Sequence, residues 1–162
     1  MGPAHLTGFA QADKRIPGTS VSYKVQKSGG KNTSMIFIDS ASDRTGKTYF
    51  AVKCQGQGTY SMSLYAKDAL ATSETDVVLM VKQGSVINKA DGYVRVDRQT
   101  GRLSVWETEY KDVNEGLLGT LSKSGSPFTV TVMREGGNLQ PMVYGFHSKG
   151  MRSGMEAVNY CK

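Results

Sequence analysis

The chain holds two cysteines and two histidines among 162 residues, and their spacing limits the chemistry they can share. A zinc site asks for about four Cys, His or carboxylate ligands, usually in close pairs. Cys54 and Cys161 are widely separated, His5 lies near the start and His147 near the end. No metal-ligating set is expected from them. His147 and Ser148 adjoin in sequence, but a nucleophile and its base must meet in space with a third group orienting the base. His147 therefore reads as a surface histidine at a strand end.

Glu107, Glu109, Asp112 and Glu115 follow Trp106 closely. Glu107 and Glu109 would share a face if the strand through Trp106 continued, and paired carboxylates can hydrolyse glycosides. With Arg102 and Lys111 nearby to balance them, they read as a solvated edge. The segment Ala41-Ser42-Asp43-Arg44-Thr45-Gly46-Lys47-Thr48 ends like a phosphate-binding loop. That loop needs glycine where Ala41 stands and a helix immediately after it. Tyr49 to Cys54 reads as a strand instead, so the segment is a turn. Asn32-Thr33-Ser34 is a glycosylation sequon, meaningful only in a eukaryotic secretory setting. No catalytic residue, metal or cofactor is expected, and the chain reads as a non-enzyme.

The cysteines admit two readings, free thiols or a clip. Cys54 closes the strand-like run from Tyr49, and Cys161 is the penultimate residue, where a core-filling thiol has little purpose. A Cys54–Cys161 disulfide would hold the end of the chain down. Closing a loop of this size is worth up to ~4.7 kcal/mol in the chain-entropy model. Disulfides persist in oxidising compartments, so the expected location is periplasmic or secreted. Met1-Gly2-Pro3 reads as a start replacing a removed leader peptide.

The elements that must position these residues are mostly strands. Val21 to Val25, Tyr60 to Leu64 and Phe128 to Met133 alternate apolar and polar residues, the period of a half-buried strand. Short apolar runs at Met35–Ile38, Tyr49–Cys54, Val77–Val81 and Pro141–Phe146 read as further strands. Tyr93–Asp97 and Leu103–Trp106 flank the turn Arg98–Arg102 as a hairpin. Asp112–Ser122 and Ser148–Cys161 carry helical stripes, the second through Met151, Met155 and Val158, with Ser148 as its cap. The 19 glycines suit turns better than helices. The expected fold is all-β: an antiparallel β-sandwich of about nine strands with a short C-terminal helix. Residues 1–19 form an irregular arm, and 20–162 a single domain.

The net charge of +6 is spread evenly, with no basic tail, and no apolar run is long enough to span a membrane. Tyr60, Tyr65, Arg95, Arg98, Arg102 and Trp106 form the candidate binding surface. Aromatic and basic side chains on strands can stack and hold single-stranded nucleic acid. Cross-strand packing explains the same aromatics.

From Cys54 onward the landmarks run Phe50-Ala51-Val52-Lys53-Cys54, Val94-Arg95-Val96-Asp97, Trp106, Leu117 to Met133, Tyr144-Gly145-Phe146, Gly150 and Cys161. This order resembles the periplasmic β-sandwich proteins associated with type VI secretion and related small envelope proteins. In that family the closing helix ends in a cysteine paired with the mid-chain one. Where the family carries Phe-Asp-Leu-x-Gly, this chain has Phe146-His147-Ser148-Lys149-Gly150. The resemblance implies a non-catalytic, exported binding or adaptor module whose partner is another envelope protein. A single-stranded nucleic-acid binder and an inhibitor of a cell-wall enzyme are the alternatives.

Overall fold

Ile16-Pro17-Gly18-Thr19 makes the first turn of the computed structural model, which describes residues 11–123 and 125–162. Proline presets one corner, Gly18 takes φ +71°, and the Thr19 amide donates to the Ile16 carbonyl at 3.2 Å. This is the chemistry of a type II turn. It folds β1 (Lys14–Arg15) back on β2 (Val21–Lys24). The expected irregular arm is thus a hairpin over its described part; residues 1–10, with His5, lie outside the described residues.

A small hairpin of β3 (Lys27–Ser28) and β4 (Lys31–Asn32) turns through Gly29-Gly30. Then follow β5 (Met35–Asp39), β6 (Tyr49–Gly56), β7 (Thr59–Tyr65), β8 (Thr75–Gln83), β9 (Val86–Arg95) and β10 (Val105–Thr108). Helix α1 (Lys111–Leu121), β11 (Pro127–Met133), β12 (Met142–His147) and helix α2 (Met151–Ala157) complete the chain. No described helix is long and apolar enough to cross a membrane.

Ten strands form one antiparallel sheet in the order β1-β2-β5-β6-β7-β10-β9-β8-β11-β12. The all-β expectation holds. The strands are hydrogen-bonded in one continuous order, and the sheet curls so that strands far apart in that order meet in the core. Phe50 on β6 and Phe146 on β12 show the curl: their rings are 5.1 Å apart, whereas six strand spacings in a flat sheet would separate them by roughly 29 Å. Beside them, the Ala41 amide and Ser40 hydroxyl donate to the Gly145 carbonyl at 2.8 Å, and the Gly145 amide donates to Ser42 Oγ at 2.9 Å. These bonds fasten the outer edge of β12 to the β5–β6 connection.

The inward row along each strand builds the main core: Ile36 and Ile38, Phe50 and Val52, Met62 and Leu64, Val77 to Val81, Val94, Trp106, Phe128 to Val132, Tyr144 and Phe146. Trp106 is fully buried, and its Nε1–H donates to the Val77 carbonyl at 2.8 Å. On the opposite face Phe37, Tyr49 and Ala51 form a second cluster, packed by Ala12, Met35 and Tyr65. Strand β6 is therefore apolar on both faces, which is why it reads as a continuous run.

Met151 and Met155 of α2 are buried as their spacing predicts. The helix is shorter than the expected Ser148–Cys161. Ser148 does not cap it: its single hydroxyl proton is shared between the Lys123 and Ser126 carbonyls. Beyond Val158 the backbone turns left-handed at Asn159, Tyr160 and Cys161, with φ of 55°, 51° and 62°. That reversal carries Cys161 to Cys54, whose Cα lies 4.9 Å away with the sulfurs at disulfide distance. Asn32, only 7% exposed, adds a clamp, with Nδ2 donating to the Val158 carbonyl at 2.8 Å and the Lys162 carbonyl at 3.1 Å. The sequon asparagine is thus committed inside the fold.

Candidate functional site

One row of residues crosses four neighbouring strands on the sheet's second face. Tyr49 of β6 stands opposite Tyr65 of β7, Tyr65 opposite Val105 of β10, and Val105 opposite Arg95 of β9. Side chains in one register row project from the same face and touch. The tyrosine rings stack, with centroids 4.9 Å apart and planes 16° from parallel. Gln11 Nε2 donates to the Tyr49 hydroxyl, and Lys53 Nζ donates to the Tyr65 hydroxyl at 2.8 Å. Burial, with Tyr65 alongside, pushes the Tyr49 hydroxyl far above the ordinary tyrosine range, so it stays protonated.

Above the end of this row the chain turns through Val96 to Gln99. Asp97 organises the turn: its amide donates to the Arg102 carbonyl at 2.7 Å, and its Oδ1 accepts from the Gln99 amide at 2.9 Å. Asp97 is drawn inside, with the residue 4% exposed. Arg95 Nε donates to Glu107 Oε1 at 2.7 Å, and Nη1 donates to the Val96 carbonyl at 3.2 Å. Burial alone would favour loss of the Arg95 proton, but the Glu107 bond outweighs it and holds the guanidinium charged.

These groups surround a cleft of about 640 Å³, lined by Tyr65, Arg95, Asp97, Arg98, Gln99, Glu74 and Glu107 among others. The size is that of a small-molecule site. Arg95 and Glu107 are bonded to each other and Asp97 to backbone before any ligand arrives, which lowers the entropy lost on binding, while Arg98 and Glu74 are exposed.

The structure brings Tyr65, Arg95 and Arg98 of the candidate surface together here. It does not bring the other three. Trp106 is in the core, because inward alternation on β10 places it under β8 and β9. Tyr60 lies on the inner face beside the main core, its carbonyl accepting from Asn114 Nδ2 of α1 at 3.3 Å. Arg102 is exposed on the far side of the turn, outside the cleft lining. Glu107 and Glu109 do not share a strand face, since β10 ends at Thr108. Arg95, rather than Arg102 or Lys111, balances Glu107.

Tyr49, Glu74, Asp97 and Glu107 enter the site without having been singled out for it. Asp97 carried a local signal, an aspartate two residues before the amide it caps. Tyr49 carried none, because its place depends on register across strands. The phosphate-loop look-alike is the β5–β6 connection and leads into strand β6. There Asp43 Oδ1 accepts from the Thr45 amide at 2.9 Å and from its hydroxyl at 2.5 Å. His147 Nδ1 accepts from the Lys149 amide at 3.1 Å, and the Ser148 hydroxyl is engaged elsewhere, so the two form no nucleophile–base pair. Among the described residues, no three His, Cys, Asp or Glu side chains gather where a metal ion could be held. Comparison of the chain with protein-family models, curated proteins and solved structures finds no match.

Proposed function

We propose that this chain is a non-catalytic binding module of an oxidising, extracytoplasmic compartment, and that the cleft between the Tyr49–Tyr65 stack and the Val96–Gln99 turn is its ligand site. The carrying observation is the Arg95–Glu107 pair at 2.7 Å, a preorganised polar pair on the wall of a cleft of about 640 Å³ that Arg98 also lines. The paired cysteines support the compartment. The order of landmarks shared with periplasmic proteins of type VI secretion supports a place in the cell envelope, with an envelope component as partner.

The experiment uses a photo-crosslinking residue placed at Arg98 or at Arg102. Both positions are exposed in the same turn, but only Arg98 lines the cleft. Capture of an envelope component from Arg98 and not from Arg102 is expected. Equal labelling from both positions, or none from either, overturns the assignment of the site.

A further inference from the structure

We propose that the ligand of this cleft is a neutral saccharide, an inference that rests on the cleft being the binding site. The charge of the lining argues first. Arg95 and Arg98 share the lining with Glu74 and Glu107, while Asp97, also in the lining, is buried. A phosphate-rich strand would meet the carboxylates of Glu74 and Glu107, and a polyamine would meet two guanidiniums. Neither sign of ligand gains from such a mixture, which removes the electrostatic term that dominates nucleic-acid binding.

The kind of polar group argues second. Ionised carboxylates only accept hydrogen bonds, and guanidiniums only donate them. A ligand satisfying both walls must donate and accept at closely spaced positions. Vicinal hydroxyls do so on every sugar ring.

The position of the cleft argues third, and separates a saccharide from a peptide. Extended peptides are held mainly by main-chain bonds to a free sheet edge. The cleft lies instead over the face of β6, β7, β10 and β9, neighbours within the sheet. Around the stacked tyrosines and Arg95 the ladder bonds join each strand to the next, so recognition on this face falls to side chains.

The test titrates isotope-labelled full-length protein, disulfide intact, with chitotriose, cellotriose and maltotriose and follows backbone amide shifts. Saturable shifts at Tyr65 and Arg95–Gln99 with at least one trisaccharide are expected. Arg98→Ala weakens that binding by about tenfold, the worth of one hydrogen bond from a charged donor, whereas Arg102→Ala leaves it unchanged. Silence of these amides toward all three sugars, or binding indifferent to Arg98→Ala, overturns the proposal. Trialanine shifting the same amides where the sugars do not assigns the cleft to peptides; the binding-site reading then stands and the saccharide falls. If crosslinking from Arg98 fails as well, both fall together.

Discussion

Gly92 of β9 lies against the indole of Trp106 so closely that a Cβ on the glycine would sit 2.2 Å from Trp106 Cε2. The glycine is there for space: its backbone is ordinary strand, and the indole needs the volume to reach the Val77 carbonyl. Gly92→Ala is expected to destabilise the fold by about 3 kcal/mol or more, at the upper end for overpacking. Trp106→Phe alone loses a buried hydrogen bond and costs about 2–4 kcal/mol. Combining them should cost clearly less than the sum, because the smaller ring makes room for the methyl. Denaturant titrations of the four proteins check the coupling; strict additivity would contradict the contact.

The two cysteines make a prediction about mass and stability together. Purified without reductant, the protein should resist alkylation and be lighter than its reduced form by the mass of two hydrogens. The Cys54→Ser/Cys161→Ser variant should lose about 2–4 kcal/mol. Two thiols that alkylate freely in the oxidised native protein would remove the argument for an extracytoplasmic home.

Asp39 gives the pH dependence a sign. Burial pushes its carboxyl from 3.8 up to about 6, against the pull of Arg15 and with a smaller push from Asp43. The folded state therefore holds this proton more tightly than the unfolded chain. Its contribution to stability is fully present below pH 3.8 and is lost as pH rises through about 6. Burial also pushes Asp43 up, but hydrogen bonds from Thr45 and Thr48 outweigh it and leave Asp43 below 3.8, so its contribution is lost only in stronger acid. Asp39→Asn should raise stability at neutral pH by about 1–3 kcal/mol, and the gain should vanish near the unfolded carboxylate value of ~3.9. Melting curves of both proteins across that range check it.

Asn32 tests the clamp on the terminal turn. Asn32→Ala removes both Nδ2 bonds, to the Val158 and Lys162 carbonyls, and should cost about 2 kcal/mol. Amide hydrogen exchange at Val158–Lys162 should quicken with the disulfide still closed. Unchanged exchange there would mean the disulfide alone holds the turn.

Much of this fold was legible because apolar periodicity survives where large side chains face the core. Each of the nine expected strands has a counterpart, displaced at its ends. The first half of β9 was missed for a definite reason. Its inward positions Ala90 and Gly92 are small because Trp106 occupies the space above Gly92, and small residues erase the alternation that marks a strand. The terminal helix was drawn too long because Asn159, a type that tolerates left-handed backbone, is the one local mark of the turn at Asn159–Cys161, and Tyr160 and Cys161 carry none. At the site, Tyr65, Arg95 and Arg98 could be named from residue type. Glu107 joins Arg95 across the expected β9–β10 hairpin, whereas Tyr49 and Tyr65 reach them only through the β7–β10 pairing of strands distant in sequence, and Trp106 was misplaced because an aromatic on a strand does not announce its face.

The bonds between Gly145 and the Ser40–Ser42 segment also govern how the molecule behaves among its own copies. A terminal strand with a bare edge is a template for aggregation. Here the strand at one end of the sheet is engaged near its middle by a loop of its own chain. The strand at the other end is two residues long. Among the described residues, neither end offers an incoming chain a continuous row of backbone groups. A concentrated solution is therefore guarded against growth of the sheet from its ends into fibrils, and association is left to the faces.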